Sequence, residues 1–188
     1  DQVLINRLGF NNSGADKICS RISSNLPDGF LGINIGPNKD SNNRLEDYLF
    51  CLRKFYKVAD YIAINISSPN TENLRSFHDE KELDELLSSI MDEKKFLNTK
   101  VPIAVKISPD IDDKSIEIIS ELLIKYSVEL AIISNTTDRN RENLININKL
   151  EKGGLSGKPL ENKSNFLINK FYKNLKNKIK IIGVGGID

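Results

Sequence analysis

One lysine lies inside an apolar run of the sequence, where its charge could do chemistry. Lys106 alternates with aliphatic residues over positions 102–108, PIAVKIS, so a strand there would bury it. Burying an ammonium group costs several kcal/mol unless an anion meets it. A buried ion pair is the alternative, but no carboxylate shares the polar face of the other strand-like runs. Lys106 is therefore predicted to contact an anionic ligand.

Four asparagines follow or interrupt similar apolar runs. They are Asn34, Asn65, Asn70 and Asn135. An amide side chain both donates and accepts hydrogen bonds, which suits a planar ligand rich in amide groups, such as a pyrimidine ring. The alternative is that each amide only satisfies neighbouring backbone groups.

Two adjacent serines follow the run that contains Asn65. Ser67 or Ser68, in YIAINISSPNT at 61–71, could act as a base or a nucleophile, although an unactivated hydroxyl is a poor base. The residues alone do not choose between them, and no Ser-His-Asp arrangement is visible. The single histidine, His78, is expected on the surface without a catalytic role.

Two glycine clusters could expose backbone amide groups to a phosphate. They are GGLSG at 153–157 and GVGG at 183–186. Tight turns also use glycine, so each cluster alone is weak support. Together with Lys106, they suggest a phosphate-bearing cofactor, and the anionic ring nitrogen of a reduced flavin is one partner that the lysine could stabilise.

The apolar runs that carry these residues predict the fold. Five strands are expected, over 32–36, 61–66, 102–108, 130–137 and 181–186. Helical patterns lie between them, at 16–25, 43–58, 81–96, from 112 onwards and at 164–176, and 138–152 is expected to be an extended loop. Strand and helix alternate, which predicts parallel βαβ units whose strand ends meet at one rim.

The predicted fold class is α/β, a (β/α)8 barrel that is incomplete in this chain. Such a barrel needs roughly 250 residues, whereas the chain has 188 and shows about five barrel strands. Both ends are therefore expected to be missing. A small open α/β sheet, complete in itself, is the alternative.

Composition narrows the functional classes. A net charge of +1, from 27 basic and 26 acidic residues, gives no electrostatic footprint for nucleic acid. Cys19 and Cys51 match no metal-binding spacing, so no metal is expected and a reducing setting is favoured. No apolar run approaches the ~18 residues of a membrane-spanning helix and no signal peptide opens the chain, so this segment is expected to be soluble.

Seven motifs in order resemble the class 2, quinone-linked dihydroorotate dehydrogenases. They are INRLGFNN, LGINIG, YIAINISSPNT, PIAVKISPD, IISNTT, GGLSGKPL and IIGVGGID. The resemblance implies an FMN-dependent barrel that oxidises dihydroorotate to orotate in pyrimidine (UMP) biosynthesis and passes the electrons to a quinone. It also implies that residues 1–188 form a single partial FMN-binding barrel domain. The membrane-associating N-terminal helices and the first and last barrel strands would then be absent.

The resemblance assigns roles to individual residues. Ser68 corresponds to the catalytic base. The residues at FMN-contacting positions are Asn34, Asn65, Lys106, Ser134, Gly157 and Gly186. The residues at substrate-binding positions are Asn11, Asn12, Ser13, Gly14, Ala15, Asn65, Asn70, Asn135 and Thr136. Taken alone, the polar cluster at 11–14 also reads as a turn whose amides bond their own backbone.

Serine at position 68 resembles the quinone-linked class, because the soluble class usually carries cysteine there. The implied location is peripheral to a membrane, at the bacterial cytoplasmic face or the mitochondrial inner membrane, reached through the missing N-terminal segment. Two alternatives remain open. One is a soluble fumarate- or NAD-linked dihydroorotate dehydrogenase, and the other is a truncated, non-catalytic barrel that binds a nucleotide.

Overall fold

A computed structural model describes residues 2–70, 74–139 and 141–185. The strands are β1 Val3–Asn6, β2 Gly32–Ile35, β3 Tyr61–Asn65, β4 Ile103–Ile107, β5 Leu130–Ile133, β6 Gly154–Gly157 and β7 Lys180–Gly183. The α-helices are α1 Ala15–Ser24, α2 Arg44–Phe55, α3 Glu80–Phe96, α4 Asp113–Lys125 and α5 Glu161–Leu175. Short 3-10 helices span Leu74–His78, Ile147–Leu150 and Lys158–Leu160.

Five strands form one parallel sheet in the order β2-β3-β4-β5-β7. These are the five strands that the apolar runs predict, with ends shifted by a few residues. The strands of this sheet follow one another in chain order, except that β6, between β5 and β7 in the chain, pairs with β1 instead. Because parallel crossovers are right-handed, this sequential order places the intervening helices on the same face of the sheet, as in a barrel.

The helix-covered face of the sheet holds the main hydrophobic core. Ile62, Ile64 and Ile66 are fully buried there, together with Ile103 and Val105 of the next strand. The opposite face carries a separate small cluster of Ala63, Ala104 and Ile132. The alternation seen in the sequence therefore divides a structural face from a face that is free to carry other chemistry.

Helix caps follow the sequence signals. Asp79 accepts a hydrogen bond from the Lys81 amide at the start of α3, and Asp112 accepts one from the Ser115 amide at the start of α4, so both predicted caps are confirmed. Asn43 caps α2 in the same way.

Helix α2 buries Tyr48, Leu52 and Phe55. Leu45, Leu49 and Tyr56 are partly buried against the same core. Tyr48 can be buried because its hydroxyl donates to the Asn65 carbonyl at 2.8 Å.

The glycine-rich segment 153–157 does not form a loop. Gly154–Gly157 is the strand β6, which pairs antiparallel with β1 to form a two-stranded ribbon. At Gly153 and Gly157, φ is positive, and a Cβ atom at either residue would lie 2.3 Å from a carbonyl oxygen of β1 or its flank. Close backbone approach therefore explains these glycines without a phosphate. The loop prediction for 138–152 is confirmed only in part, because it contains the 3-10 helix Ile147–Leu150.

Within the described ranges, no helix has both the length and the apolar character needed to cross a bilayer.

Candidate active site

Strand register brings several predicted site residues to the sheet face that lies opposite the helices. Asn65 of β3 is the direct neighbour of Lys106 of β4, and Lys106 neighbours Ile132 of β5. Asn34 of β2 pairs with Ala63, one inward-facing row below Asn65, and its side chain is exposed. The carboxyl ends of these strands are here called the rim.

Lys106 is half-buried on this face and has no partner among the residues that the structure describes. Its ammonium group makes neither a hydrogen bond nor an ion pair with any residue in the described parts of the chain. Burial lowers the pKa of Lys106 from its usual range because the charged form loses water. Its neighbours Ala63 and Ala104 have small side chains, which leaves space beside the ammonium group.

A chain of hydrogen bonds links three polar side chains across the rim. Asn135 Nδ2 donates to Ser67 Oγ at 2.9 Å, and Ser67 Oγ donates to Asn65 Oδ1 at 3.0 Å. The backbone amide of Ser67 also donates to Asn65 Oδ1, at 3.1 Å. Asn65 Nδ2 makes no hydrogen bond with any residue from the described ranges, so its donors remain available to a ligand.

Ser68 comes directly after Ser67 in the sequence, and it is 8% exposed. Its Oγ accepts the backbone amide of Asn70 at 3.2 Å, and Asn70 Nδ2 in turn donates to the Asn6 carbonyl at 3.1 Å. Neither histidine nor carboxylate hydrogen-bonds to Ser68 in the part of the chain that the structure describes. The hydroxyl of Ser67, by contrast, is already engaged both as a donor and as an acceptor.

Residues of the β5 end complete the rim. Ser134 is buried and its Oγ donates to the Asn135 carbonyl at 3.2 Å. The backbone amide of Thr136 donates to Asn135 Oδ1 at 2.8 Å. A Cβ atom on Gly154 would lie 2.0 Å from Thr136 Oγ1 and 3.1 Å from Pro69 Cγ, so the ribbon packs directly over these two loops. It thereby covers part of the rim.

The predicted substrate loop 11–15 is bonded largely to itself. Asn12 Nδ2 donates to the Phe10 carbonyl at 3.0 Å, and Asn12 Oδ1 accepts the Gly14 amide at 2.8 Å. Ser13 Oγ accepts from Arg21, Asn11 is exposed, and Ala15 begins α1. The turn interpretation therefore explains Asn12, while contact of this loop with a substrate stays a prediction.

Two predicted cofactor residues lie apart from this group. Gly157 is exposed at the end of β6, opposite Val3 of β1, and its contact with a phosphate stays a prediction. Gly186 lies outside the described residues.

His78 is partly buried, so the expectation of a surface position is wrong, while its lack of a catalytic role stays a prediction. Its Nδ1 lies 3.0 Å from the Arg75 carbonyl, and the Ser108 amide donates to its Nε2 at 3.3 Å. The carbonyl requires hydrogen on Nδ1, and the amide requires a lone pair on Nε2, so this geometry fits the neutral ring. Burial, joined by the nearby Arg75 guanidinium, lowers the pKa of His78 even though the carbonyl hydrogen bond opposes the shift.

Sequence reasoning missed a group of ionic side chains in the segments that follow the strands at the rim. The carboxylate of Asp110, which is 1% exposed, contacts Arg75 at 3.1 Å and Lys163 at 2.7 Å. It also accepts the Thr137 hydroxyl at 2.6 Å. Burial alone would raise the pKa of Asp110, but hydrogen bonds from Lys163 and Thr137 hold it below its usual range. The only sequence signal was an aspartate directly after a strand, two residues before the capping Asp112.

The family model for dihydroorotate dehydrogenase matches residues 1–188, the whole chain. The chain belongs to the dihydroorotate dehydrogenase family.

This chain is similar to individual members of the dihydroorotate dehydrogenase family. It is 44% identical to a dihydroorotate dehydrogenase (quinone) from Idiomarina loihiensis over 100% of this chain and 58% of that protein. Identity to the protein of the same name from Buchnera aphidicola subsp. Schizaphis graminum is 47%, over 98% of this chain and 57% of the relative. The chain therefore spans a little over half the length of these curated relatives.

A solved structure supports the fold assignment. Ligand-free DHODH from Eimeria tenella matches with a TM-score of 0.93 and 31% identity, over 100% of this chain and 58% of that one. The complex of DHODH from the same organism with ferulenol matches with a TM-score of 0.89 and 31% identity, over 100% of this chain and 57% of that one. The prediction of an incomplete (β/α)8 barrel is confirmed, and the interpretation as an independent open sheet is wrong.

The neutral histidine of this dihydroorotate dehydrogenase family member predicts a pH-dependent stability. A histidine whose folded pKa lies below the unfolded value of 6.5 binds fewer protons when folded. Its contribution is fully present above pH 6.5 and is lost as the pH falls below that value. Urea unfolding should therefore show the free energy of unfolding decreasing by up to about 1.4 kcal/mol per pH unit between about pH 6.5 and 5.5.

His78→Gln supplies the control, because His78 is the only histidine in the chain. The variant should lose most of that slope. Equal slopes in the two proteins would show that His78 is not held neutral by its two backbone contacts.

Removing the charge of Lys106 is predicted to stabilise the folded protein. In flavin-free protein, Lys106→Met should raise the thermal midpoint by about 2–4 °C, because a desolvated charge without a partner is removed. Lys95→Met, at an exposed position of α3, is the matched control and should leave the midpoint unchanged within ~1 °C. A lower midpoint for Lys106→Met would mean that the protein itself stabilises the ammonium group.

Proposed function

We propose that the intact protein oxidises dihydroorotate to orotate with FMN as cofactor and passes the electrons to a quinone. The observation that carries this proposal is the half-buried Lys106, which has no acidic partner in the described residues and is the strand neighbour of Asn65, whose Nδ2 makes no hydrogen bond with a described residue. The ammonium group of Lys106 favours an anion, and the Nδ2 group of Asn65 favours a hydrogen-bond acceptor, and a bound ligand can supply both. Membership of the dihydroorotate dehydrogenase family supports a flavin as the source of both.

The residues present fit a flavin. Lys106 supplies a fixed positive charge against a ring that becomes electron-rich, Asn65 supplies amide hydrogens, and Ser134 supplies a hydroxyl from the neighbouring strand. Asn34, Gly157 and Gly186 are proposed as further contacts by resemblance. When bound, FMN supplies a two-electron acceptor that the amino acid side chains lack.

The substrate side of the proposed site is built from amides. Asn70 and Asn135 are held in place by their hydrogen bonds to Asn6 and Ser67, and Thr136 is held by the backbone contact to Asn135. Each of these side chains retains donors or acceptors that match the alternating amide groups of a dihydropyrimidine ring. The loop 11–15 contributes the remaining proposed contacts.

Ser68 is proposed as the base that takes the proton from C5 of dihydroorotate while hydride leaves C6. Its burial excludes water, and the Asn70 amide fixes the direction of its lone pairs. Ser67 is the poorer candidate because its hydroxyl proton is donated to Asn65.

The proposed electron acceptor is a quinone, reached at a membrane surface. Both curated relatives described above carry quinone in their names, and position 68 holds serine as the class 2 resemblance requires. No nucleic acid or metal is needed for this reaction.

The proposal predicts a yellow protein. The intact protein should contain about one FMN per chain, its flavin absorbance should bleach when dihydroorotate is added without oxygen, and a short-chain quinone should restore it. Restoration by fumarate or NAD instead would identify the soluble type of enzyme. A correctly folded protein without flavin absorbance would contradict the proposal and favour a non-catalytic barrel.

Ser68→Ala tests the base. The rate of flavin reduction by dihydroorotate should fall by ~10² or more, because a general base contributes about that factor. Ser67→Ala is the matched control and should have a smaller effect, since it removes an orienting contact and not the base. A Ser68→Ala rate within about threefold of the unsubstituted protein would refute the assignment.

A further inference from the structure

Arg75 connects three loops that follow neighbouring strands of the sheet. Arg75 lies in the 3-10 helix Leu74–His78. Its Nη2 donates to the Thr136 carbonyl at 3.3 Å, and its Nε donates to the Ser67 carbonyl at 3.4 Å. Its Nη1 contacts Asp110 at 3.1 Å and Asp138 at 3.2 Å. One guanidinium group thus contacts the loops after β3, β4 and β5.

The charges around Arg75 form a balanced group. Arg75 and Lys163 face Asp110 and Asp138, two positive against two negative side chains, here called the rim cluster. Asp110 is the central member, with its side chain 1% exposed. Because a buried carboxylate left without its partner is strongly unfavourable, the rim cluster holds its loops in one arrangement.

The carbonyl groups bound by Arg75 belong to peptides next to the proposed reacting groups. The Ser67 carbonyl is part of the peptide unit that leads into Ser68, and the Thr136 carbonyl follows the Asn135–Thr136 pair. Fixing these two peptide groups fixes the distance between the proposed base and the proposed substrate amides. A misplacement of about 1 Å can cost ~10²-fold in rate.

We propose that Arg75 and Asp110 are positioning residues, whose ion pair sets Ser68 and the Asn135–Thr136 loop at the separation that one bound substrate ring requires. This inference rests on the proposed function, in which Ser68 is the base. Both residues act through the peptide groups that they hold and are not proposed as substrate contacts.

The planar fork of arginine is essential to this role. It presents five donors in a fixed geometry, whereas a lysine ammonium is a compact charge with three donors at one point. Arg75→Lys therefore keeps the charge that pairs with Asp110 but cannot also bond the carbonyls of Ser67 and Thr136. The substitution therefore removes the proposed positioning contacts and keeps the charge balance of the rim cluster.

A double-mutant cycle with Ser68→Ala tests the proposal in the FMN-loaded protein. With Ser68 present, Arg75→Lys should lower the rate of flavin reduction at saturating dihydroorotate by ~10-fold or more. In the Ser68→Ala background, the same substitution should cost less than about threefold, because the base whose separation from the Asn135–Thr136 loop it sets is gone. Equal losses in both backgrounds, or no loss in either, would overturn the proposal.

Arg53→Lys is the matched control. Arg53 makes an arginine–carboxylate pair with Glu93 on the outer helices, at 2.8 Å, and its side chain is 41% exposed. It should leave the rate unchanged in both backgrounds. Asp110→Asn, which keeps an oxygen for Thr137 but loses the charge, should reproduce the effect of Arg75→Lys.

Hydrogen exchange measured by mass spectrometry tests the same proposal without turnover. Arg75→Lys should raise amide exchange ~10-fold or more in peptides covering 62–70 and 134–139, while a peptide covering 103–107 should be unchanged. Unchanged exchange in the first two peptides would overturn the positioning role. If the unsubstituted protein neither holds flavin nor responds to dihydroorotate, the proposed function fails, and the exchange result still decides whether Arg75 orders these loops.

Discussion

A positive charge that no described residue neutralises is the constraint on which the candidate site depends. Lys106 is half-buried between strands whose neighbouring side chains are alanine, isoleucine and asparagine, and the described residues offer it no carboxylate. Such a group is retained in a fold only at a cost to stability, which a bound anion can offset. Functional sites are where a protein is expected to break the rules that its core obeys.

The sheet can tolerate this charge because its two faces have separate tasks. The helix-covered face is filled by isoleucine and leucine side chains with almost no exposure, which supplies the hydrophobic stabilisation of the fold. The other face therefore need not be packed tightly. Sequential strand order makes this division possible, because it keeps the helices on one side and turns the carboxyl ends of the strands toward one rim.

Sequence patterns predicted the strands, the fold class and the faces of individual residues, because parity within a strand is a local property. Asn65 and Lys106 could thus be placed on one face without coordinates. Contacts between distant loops could not be foreseen. Arg75 and Asp110 are 35 positions apart in loops whose approach depends on strand register, and the charge pattern resembles that of any solvated surface. The position of His78 was wrongly predicted for the same reason, since it depends on a contact with the Ser108 amide, directly after β4.

Charge is arranged at two levels in this region of the molecule. In the loops after the strands, the rim cluster is neutral in sum and its central carboxylate is saturated with donors, so it can hold loops in place whether or not a ligand is bound. On the inner face, Lys106 remains uncompensated among the described residues and Asn65 keeps unengaged donors. Preorganised binding requires both parts: a neutral cluster that keeps the loops in place, and polar groups that still lack partners. The groups that meet the ligand then need not reorganise when it binds.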